Sequence, residues 1–123
     1  MNPKNKIYYL GTCDTCKKIL TEAGAIAKKI PLQDIKTDKI SPAQIDEMKK
    51  LAGSYEALFS RRAIKYREMD LKNKDLKEAD YRNLILEEYT FLKRPVSILN
   101  NKIFIGNDKK QTEGLKEEIL KLK

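Results

Sequence analysis

Residues 7–20 have the sequence Ile7-Tyr8-Tyr9-Leu10-Gly11-Thr12-Cys13-Asp14-Thr15-Cys16-Lys17-Lys18-Ile19-Leu20. The apolar, aromatic run at its start is typical of a buried strand, and the Gly11-Thr12 pair interrupts that run. A segment with helical spacing begins at Cys13. The two cysteines of the chain are three positions apart and lie where a strand gives way to a helix. A Cys-x-x-Cys pair in this setting favours thiol redox chemistry.

The start of a helix is a place where a thiol becomes a thiolate. The first turn leaves backbone N–H groups unpaired, and the helix dipole is positive there. A free cysteine titrates near about 8.5 and is mostly protonated at neutral pH. We expect the helix end, together with Lys17 and Lys18, to favour the Cys13 thiolate. Cys13 is therefore the candidate attacking thiol, and Cys16 is the candidate resolving thiol that closes a disulfide.

Two other interpretations of the cysteine pair stay open. Both cysteines can be inert, buried side chains. They can also be half of a zinc site, but a tetrahedral zinc needs about four nitrogen or sulfur ligands. The chain has no histidine and only these two cysteines, so such a site would need a second subunit. We predict no metal site within one chain.

Length and composition indicate one domain that spans residues 1–123. Charged residues make up 36%, and every apolar run is shorter than the roughly 18 residues of a membrane span, so we expect no membrane association. The amino terminus lacks the apolar segment of a signal peptide, which predicts the reducing cytoplasm. The net charge of +8 comes from lysines and arginines spread among acidic residues, so we expect no direct nucleic-acid binding.

The pattern of apolar residues predicts a sheet with helices. We predict strands at residues 6–10, 30–35, 96–99 and 102–106. We predict helices at residues 13–29, 44–52, 54–59, 75–88 and 112–122. A cationic turn at 60–67 and a polar loop at 107–111 complete the chain. The apolar residues predicted to face the core include Ile19, Leu20, Ala23, Ile26 or Ala27, Ile30, Leu32, Tyr81, Leu84 and Ile85.

The order of these elements predicts the fold class. A strand, a helix and a second strand within about thirty residues form a βαβ unit, whose crossover makes the strands parallel. The last two strands form a hairpin and are followed by a helix. The prediction is an α/β, thioredoxin-like (glutaredoxin-like) four-stranded mixed sheet. A helical insertion at about 41–90 separates its βαβ and ββα halves.

Arginines from two distant segments are candidates for the same site. Arg94-Pro95 stands directly before a predicted strand. In a fold with a Cys-x-x-Cys at its first helix, a proline at this position can be cis and lie beside the thiol, but the pattern alone does not predict a cis bond. Arg61 or Arg62 comes from the cationic turn. Guanidinium groups bind oxyanions through paired donors, so one thiolate with two arginines would make an anion-reduction site. The alternative is that these arginines are ordinary surface charges.

Three segments in this order resemble the ArsC/Spx/YffB family, the arsenate-reductase-like branch of the thioredoxin-like superfamily. They are Tyr8-Tyr9-Leu10-Gly11-Thr12-Cys13-Asp14-Thr15-Cys16-Lys17-Lys18, Leu58-Phe59-Ser60-Arg61-Arg62-Ala63-Ile64-Lys65-Tyr66-Arg67-Glu68-Met69 and Phe91-Leu92-Lys93-Arg94-Pro95-Val96. The register of the middle segment is similar to a family pattern that puts the functional arginine at Arg62 and not Arg61. The last segment puts the second one at Arg94.

The resemblance implies a thiol-dependent oxidoreductase of the arsenate reductase type. It implies that the Cys13 thiolate attacks an oxyanion or disulfide, that Arg62 and Arg94 hold the anion and lower the thiol pKa, and that Pro95 is cis. Cys16, or glutathione as co-substrate with glutaredoxin or thioredoxin as electron donor, would resolve the intermediate. No bound cofactor is expected. Substrate-binding positions are assigned to Thr12, Asp14, Lys17 and Pro95.

Cys16 also keeps a second function open. Arsenate reductases of this type usually carry one active-site cysteine. The Spx regulators of the same family carry a Cys-x-x-Cys, use it as a disulfide switch and bind the RNA polymerase α subunit. Gly53 lies where those regulators have a glycine at their polymerase contact. The alternative function is therefore a redox-sensing transcriptional regulator of the Spx type.

Overall fold

The structure, a computed structural model, describes residues 3–122. Met1, Asn2 and Lys123 lie outside the described residues, and so does the start of the segment used for the signal-peptide prediction. The chain divides into a sheet unit of residues 1–38 and 94–123 and an insertion unit of residues 39–93.

The strands are β1 (Lys6–Tyr9), β2 (Leu32–Asp34), β3 (Val96–Leu99) and β4 (Lys102–Ile105). The helices are α1 (Asp14–Ala23), α2 (Pro42–Ala52), α3 (Ile64–Glu68), α4 (Glu78–Glu87) and α5 (Lys109–Leu120). The single domain over 1–123 stays a prediction.

The sheet unit has the predicted mixed sheet, with the strands in the order β2-β1-β3-β4. Strand β1 pairs in parallel with β2 and antiparallel with β3, and β3 pairs antiparallel with β4. Asn100 and Asn101 form the two-residue hairpin between β3 and β4, with φ of 51° and 66°. The predicted fold class, including a helical insertion between the two halves, is confirmed.

One apolar cluster in the sheet unit holds α1 and α5 against the sheet. Its members are Ile7, Leu20, Ala23, Ala25, Ile30, Leu99, Leu115, Ile119 and Leu122. Leu20 and Ala23 in this cluster therefore hold α1, whose N-cap is Cys13, against the sheet.

Helix α1 is shorter than predicted. It ends at Ala23 because Gly24 adopts a left-handed conformation, with φ of 88°, and its N–H bonds the last carbonyls of the helix. The expectation that Ile26 or Ala27 faces the core is wrong, since both side chains are exposed.

Strand β2 presents the opposite face from the one predicted. Leu32 is exposed and Gln33 is 3% exposed. The Gln33 side-chain amide donates to the carbonyl of Asp38 at 3.0 Å, which satisfies the buried polar group. The prediction counted alternation from Ile30, but Ile30 precedes the strand, so the register moved by one residue.

The loop predicted at 107–111 is wrong in its second half, because α5 begins at Lys109. The side chain of Asp108 accepts the backbone N–H of Gln111 at 3.0 Å and caps the helix. The Gln111 side-chain oxygen in turn accepts the N–H of Ile105 at 2.9 Å. Ile105 lies in β4, the edge strand of the sheet.

The insertion unit packs its helices around aromatic rings. Phe59 stacks on Phe91 with a centroid distance of 5.0 Å and meets Tyr81 edge to face at 4.9 Å. Backbone hydrogen bonds join the segments that contain Phe59 and Phe91. The N–H of Ser60 donates to the carbonyl of Phe91, and the N–H of Lys93 donates to the carbonyl of Leu58. The chain leading into the cationic turn is therefore fixed within this unit.

Several details of the insertion unit differ from the prediction. The segment interpreted as a cationic turn contains the short helix α3, which has no buried residue. The helix predicted at 54–59 is a single 3₁₀ turn at Glu56–Leu58. Leu84 is only partly buried, whereas Tyr81 and Ile85 are buried as predicted. Helix α2 spans Pro42–Ala52, with Ser41 as its N-cap and Gly53 as its C-cap, so it begins two residues before the predicted start and ends at the predicted residue.

Candidate active site

Cys13 is the N-cap residue of α1. Its backbone is extended, with φ of −97° and ψ of 104°, and its N–H donates to the carbonyl of Leu10 at 2.9 Å. Its sulfur accepts the backbone N–H of Cys16 at 3.4 Å, which is the bond that a capping side chain makes. The tight turn before it uses a glycine because a Cβ atom at Gly11 would collide with the carboxylate of Asp34. These contacts place the thiol at the positive end of α1.

The surroundings of Cys13 lower the pKa of its thiol. Partial burial raises that pKa, but hydrogen bonds from the side chain and backbone of Cys16, and the charge and hydrogen bond of Arg94, together outweigh it. The net effect favours the thiolate. Arg94 is a charged side chain that lowers this pKa. The contribution expected from Lys17 and Lys18 stays a prediction.

Cys16 has the opposite electrostatic environment. Its side chain is 1% exposed, and both cysteines are free thiols. Burial of the Cys16 side chain raises the pKa of its thiol most. The hydrogen bond that it donates to Cys13 and the repulsion between the two sulfur charges raise that pKa further, to about 12. Cys16 therefore stays protonated and donates to Cys13. The sequence analysis assigned Cys16 a resolving role and missed this donor role. The three-residue spacing of the two cysteines, which brings residues on a helical turn together, is the signal that predicts this contact.

Arg94 and Pro95 lie at the entry to β3, in the same unit as the cysteines. The Arg94–Pro95 peptide bond is cis, as the resemblance implied. Pro95 is buried, and its carbonyl accepts the N–H of Gly106 at 2.9 Å. Arg94 is partly buried and interacts with Cys13. The structure thus brings together three of the four predicted catalytic residues, Cys13, Cys16 and Arg94.

The fourth residue, Arg62, belongs to the insertion unit. Its side chain is exposed, and its backbone N–H donates to the hydroxyl of Ser60 at 3.3 Å. The neighbouring Arg61 is engaged within that unit, because its guanidinium bonds Glu56 at 2.8 Å and the hydroxyl of Tyr81 at 3.1 Å. Of the two arginines, Arg62 is the one whose guanidinium forms no ion pair among residues 3–122.

The remaining assigned positions surround the first turn of α1. Thr12, Asp14 and Lys17 are all exposed. Asp14 is the first residue of the helix, and the N–H of Lys17 donates to the carbonyl of Cys13 at 3.2 Å. A substrate that approaches this turn would meet their side chains.

Within residues 3–122, no group of three or more histidine, cysteine, aspartate or glutamate side chains is placed to hold a metal ion. Over the same residues, no helix has the length and apolar character needed to cross a bilayer.

Known proteins share this fold. The arsenate reductase from Vibrio cholerae superposes with a TM-score of 0.75 at 15% identity, over 93% of this chain and 96% of that one. An arsenate reductase (ArsC) related protein from Brucella melitensis gives 0.68 at 24% identity, over 99% and 98%. The Staphylococcus aureus protein SACOL0876 gives 0.67 at 28% identity, over 89% and 96%.

Sequence comparison identifies the family. No curated protein sequence matches this chain closely enough to count as a relative. The sequence profile of the ArsC family does match, over residues 8–115. Because the matched residues run from the first strand through the insertion and into the last helix, this chain belongs to the ArsC family.

Proposed function

We propose that this protein is a thiol-dependent oxidoreductase of the arsenate reductase type, with Cys13 as its nucleophile. The observation that carries the proposal is the lowered pKa of Cys13 at the start of α1, beside Cys16 and Arg94. A thiolate is the form of cysteine that attacks. Membership of the ArsC family and the fold shared with arsenate reductases support the same chemistry.

The proposed reaction transfers two electrons from two thiols to the substrate. The Cys13 thiolate attacks the arsenic of arsenate and displaces one oxygen, which leaves as water after protonation. Attack by a second thiol, from Cys16 or glutathione, then forms a disulfide with Cys13 and releases arsenite. The arsenic gains the two electrons that the two sulfurs lose. Glutaredoxin or thioredoxin would return the disulfide to thiols.

Arg94 and Arg62 are the proposed anion-binding residues. The guanidinium of Arg94 is beside the thiol and would stabilise the oxyanion and the charge that develops on it. Arg62 is proposed because its guanidinium is exposed and forms no ion pair among the described residues, unlike that of Arg61. Thr12, Asp14, Lys17 and Pro95 are proposed to line the site.

Substitution of each cysteine tests the proposal. We expect Cys13→Ser to abolish reduction of arsenate and of a small disulfide, assayed with glutathione and glutaredoxin and separately with thioredoxin. Cys16→Ser should keep the attacking thiol and slow resolution, so a Cys13 adduct should accumulate and be visible by intact mass spectrometry. Turnover retained by Cys13→Ser would contradict the mechanism.

A second candidate function is the redox-sensing regulator that binds the RNA polymerase α subunit. Two observations favour it. The cysteines are adjacent free thiols, and Gly53 is exposed, with no heavy atom within 4 Å of the position of a Cβ. A pull-down with the carboxy-terminal domain of the α subunit, with oxidised and with reduced protein, distinguishes this function from the enzyme. Absence of binding in both states would eliminate it.

A further inference from the structure

Asp14 carries the charge that is nearest to Cys13 along the chain. It is the first residue of α1, directly after the N-cap, and its side chain is exposed. Adjacent Cα atoms are about 3.8 Å apart, and aspartate and cysteine both have short side chains, so the carboxylate lies within about 10 Å of the sulfur in every rotamer. That separation is close to the Debye length of about 10 Å at 0.1 M salt. A substrate that reaches the sulfur therefore comes within range of this charge.

The carboxylate of Asp14 is not neutralised by the lysines of its own helix. Lys17 and Lys18 follow it by three and four positions, a spacing at which ion pairs form. Asp14 nevertheless forms no ion pair among residues 3–122. Its negative charge is thus left to act on molecules that approach the start of α1.

An aspartate at this position also has a structural explanation. A negative side chain in the first turn interacts favourably with the positive end of the helix dipole and stabilises the helix. That stabilisation is the same whatever molecule reacts with Cys13. An effect on the reacting molecule, in contrast, changes sign with the charge of that molecule, so the two roles can be separated by experiment.

The charges around Cys13 act on a substrate in opposite directions. Arg94 interacts with Cys13, and together with the end of α1 it attracts anions. Asp14 repels them. Two unit charges about 7 Å apart in a water-like dielectric change a rate by about threefold. The carboxylate attracts a cation by the same factor, so it discriminates about tenfold between a cation and an anion of similar shape.

We propose that Asp14 is a specificity-determining residue, whose carboxylate slows the reaction of Cys13 with anionic substrates and speeds its reaction with cationic ones. Among the substrates of the proposed function, a disulfide with ammonium groups close to its S–S bond is favoured by Asp14, and anionic arsenate is disfavoured. This choice of substrate rests on the proposed function, whereas the effect of the charge on the reactivity of Cys13 does not.

The favoured reaction is a thiol–disulfide exchange. The Cys13 thiolate attacks one sulfur of the substrate, the S–S bond of the substrate breaks, and one half leaves and takes up a proton. A second thiol, from Cys16 or glutathione, then loses its proton, attacks the Cys13 sulfur and releases the other half, which takes up a proton. The substrate gains the two electrons that the two attacking sulfurs lose.

Two alkylating reagents of nearly equal size test the charge effect without enzymatic turnover. Iodoacetamide is neutral and iodoacetate carries one negative charge, and each forms a thioether with the Cys13 thiolate and releases iodide. Both rates scale with the same thiolate fraction, so their ratio cancels any change in the pKa of Cys13. At low ionic strength, we expect Asp14→Asn to raise the ratio of the iodoacetate rate to the iodoacetamide rate about threefold. Asp14→Glu should stay close to the wild type, and about 1 M salt, with a Debye length of about 3 Å, should remove the difference.

The matched control is Glu22→Gln, which removes the same charge from the same helix. Glu22 is exposed and forms no ion pair among residues 3–122. It lies about 12 Å further along α1 than Asp14, at a rise of about 1.5 Å per residue. It should change the ratio of alkylation rates much less than Asp14→Asn does. A ratio that is unchanged in Asp14→Asn, or that changes equally in the control, would overturn the inference.

Turnover tests the substrate class. Cystamine carries an ammonium group on each half, and 2-hydroxyethyl disulfide is its neutral analogue. Relative to the neutral disulfide, Asp14→Asn should lower kcat/KM for cystamine about threefold and raise kcat/KM for arsenate by at least as much, and Glu22→Gln should change neither. An unchanged preference for cystamine would contradict the substrate class. If Cys13→Ser keeps full activity the proposed function fails, and the alkylation ratio still decides whether Asp14 selects by charge.

Discussion

The sheet unit and the insertion unit hold their charged side chains in different surroundings. In the sheet unit, Arg94 is partly buried beside Cys13, and Glu118 is 5% exposed. In the insertion unit, Arg61, Arg62 and Asp46 are all exposed. Charges interact more strongly where water is excluded and are screened where it is not.

Because their charged side chains differ in exposure, the two units are expected to contribute differently to the proposed reaction. The sheet unit sets the reactivity of the thiol with a charge that is already in place. In the insertion unit, Arg62 is exposed and its guanidinium forms no ion pair among residues 3–122, so under the proposed function its contribution should appear only when an anion binds. We therefore expect substitutions in the sheet unit to change the thiol itself, and substitutions in the insertion unit to change only ligand affinity.

The largest effect is expected at Arg94. Arg94→Ala removes a charge and a hydrogen bond that lower the pKa of Cys13, so that pKa should rise. The kcat/KM for arsenate or a small disulfide should fall by about 100-fold, the order of magnitude for loss of one oxyanion-stabilising group. The pH dependence of iodoacetamide alkylation measures the pKa, and steady-state kinetics measures the activity.

Arg94→Lys is the matched variant, since it keeps the charge and loses the fork of donors. It should retain most of the pKa effect and recover only part of the activity. An alkylation profile that is identical in Arg94→Ala and the wild type would remove Arg94 from the account of thiol reactivity.

The next effect is expected at Arg62. Arg62→Ala should raise the KM for an anionic substrate about tenfold, the range of one charge-assisted hydrogen bond, and leave the alkylation profile of Cys13 unchanged. Arg61→Ala is the adjacent control. It removes the bonds to Glu56 and Tyr81 and should lower thermal stability slightly without changing the KM. If Arg61→Ala changes the KM and Arg62→Ala does not, the family register has been placed one residue too late.

The smallest effect is one on stability, at Glu118. Its carboxylate accepts hydrogen bonds from Asn100 and Lys102 and pairs with Lys121, which joins the hairpin to α5. Glu118→Gln should lower the free energy of unfolding by about 1–2 kcal/mol, measured by urea denaturation at neutral pH. Asp46→Asn, on the exposed surface of the insertion unit, should change it much less.

The carboxylate of Glu118 also predicts a pH dependence of stability. The hydrogen bond from Asn100, together with the nearby lysines, lowers the pKa of Glu118 in the folded state. A lowered folded pKa means that the stabilisation is fully present above the unfolded pKa of about 4.3 and is lost as the pH falls through the folded value. The difference in stability between wild type and Glu118→Gln should therefore shrink as the pH falls below about 4.3 and vanish below the folded pKa of Glu118. A difference that stays constant down to pH 3 would contradict this origin.

Short sequence patterns predicted the parts of the site that depend on local structure. The apolar run, the glycine and the cysteine spacing predicted the strand-to-helix junction at Cys13, because each is a local signal. Asn100-Asn101 predicted the hairpin for the same reason. The cis bond before Pro95 and the choice of Arg62 came from the resemblance to the family. The cis bond is present in the structure, and the role of Arg62 stays a prediction.

The features that sequence could not predict depend on contacts between distant residues or on weak local signals. The buried face of β2 is set by where the pairing with β1 begins, which the alternation of Ile30 and Leu32 does not encode. Helix α3 buries none of its residues, so it has no apolar stripe to detect. Arg94 acts on Cys13 from about eighty positions along the chain, a contact that no local pattern encodes.

The bond between Gln111 and Ile105 has a consequence for how the protein behaves when it is concentrated. An edge strand with open N–H groups invites a neighbouring molecule to extend the sheet. In this protein, the side-chain oxygen of Gln111 already accepts the N–H of Ile105 on β4. Addition of a strand from another molecule at this edge would have to displace that hydrogen bond first, so we expect the Gln111 amide to oppose aggregation through β4.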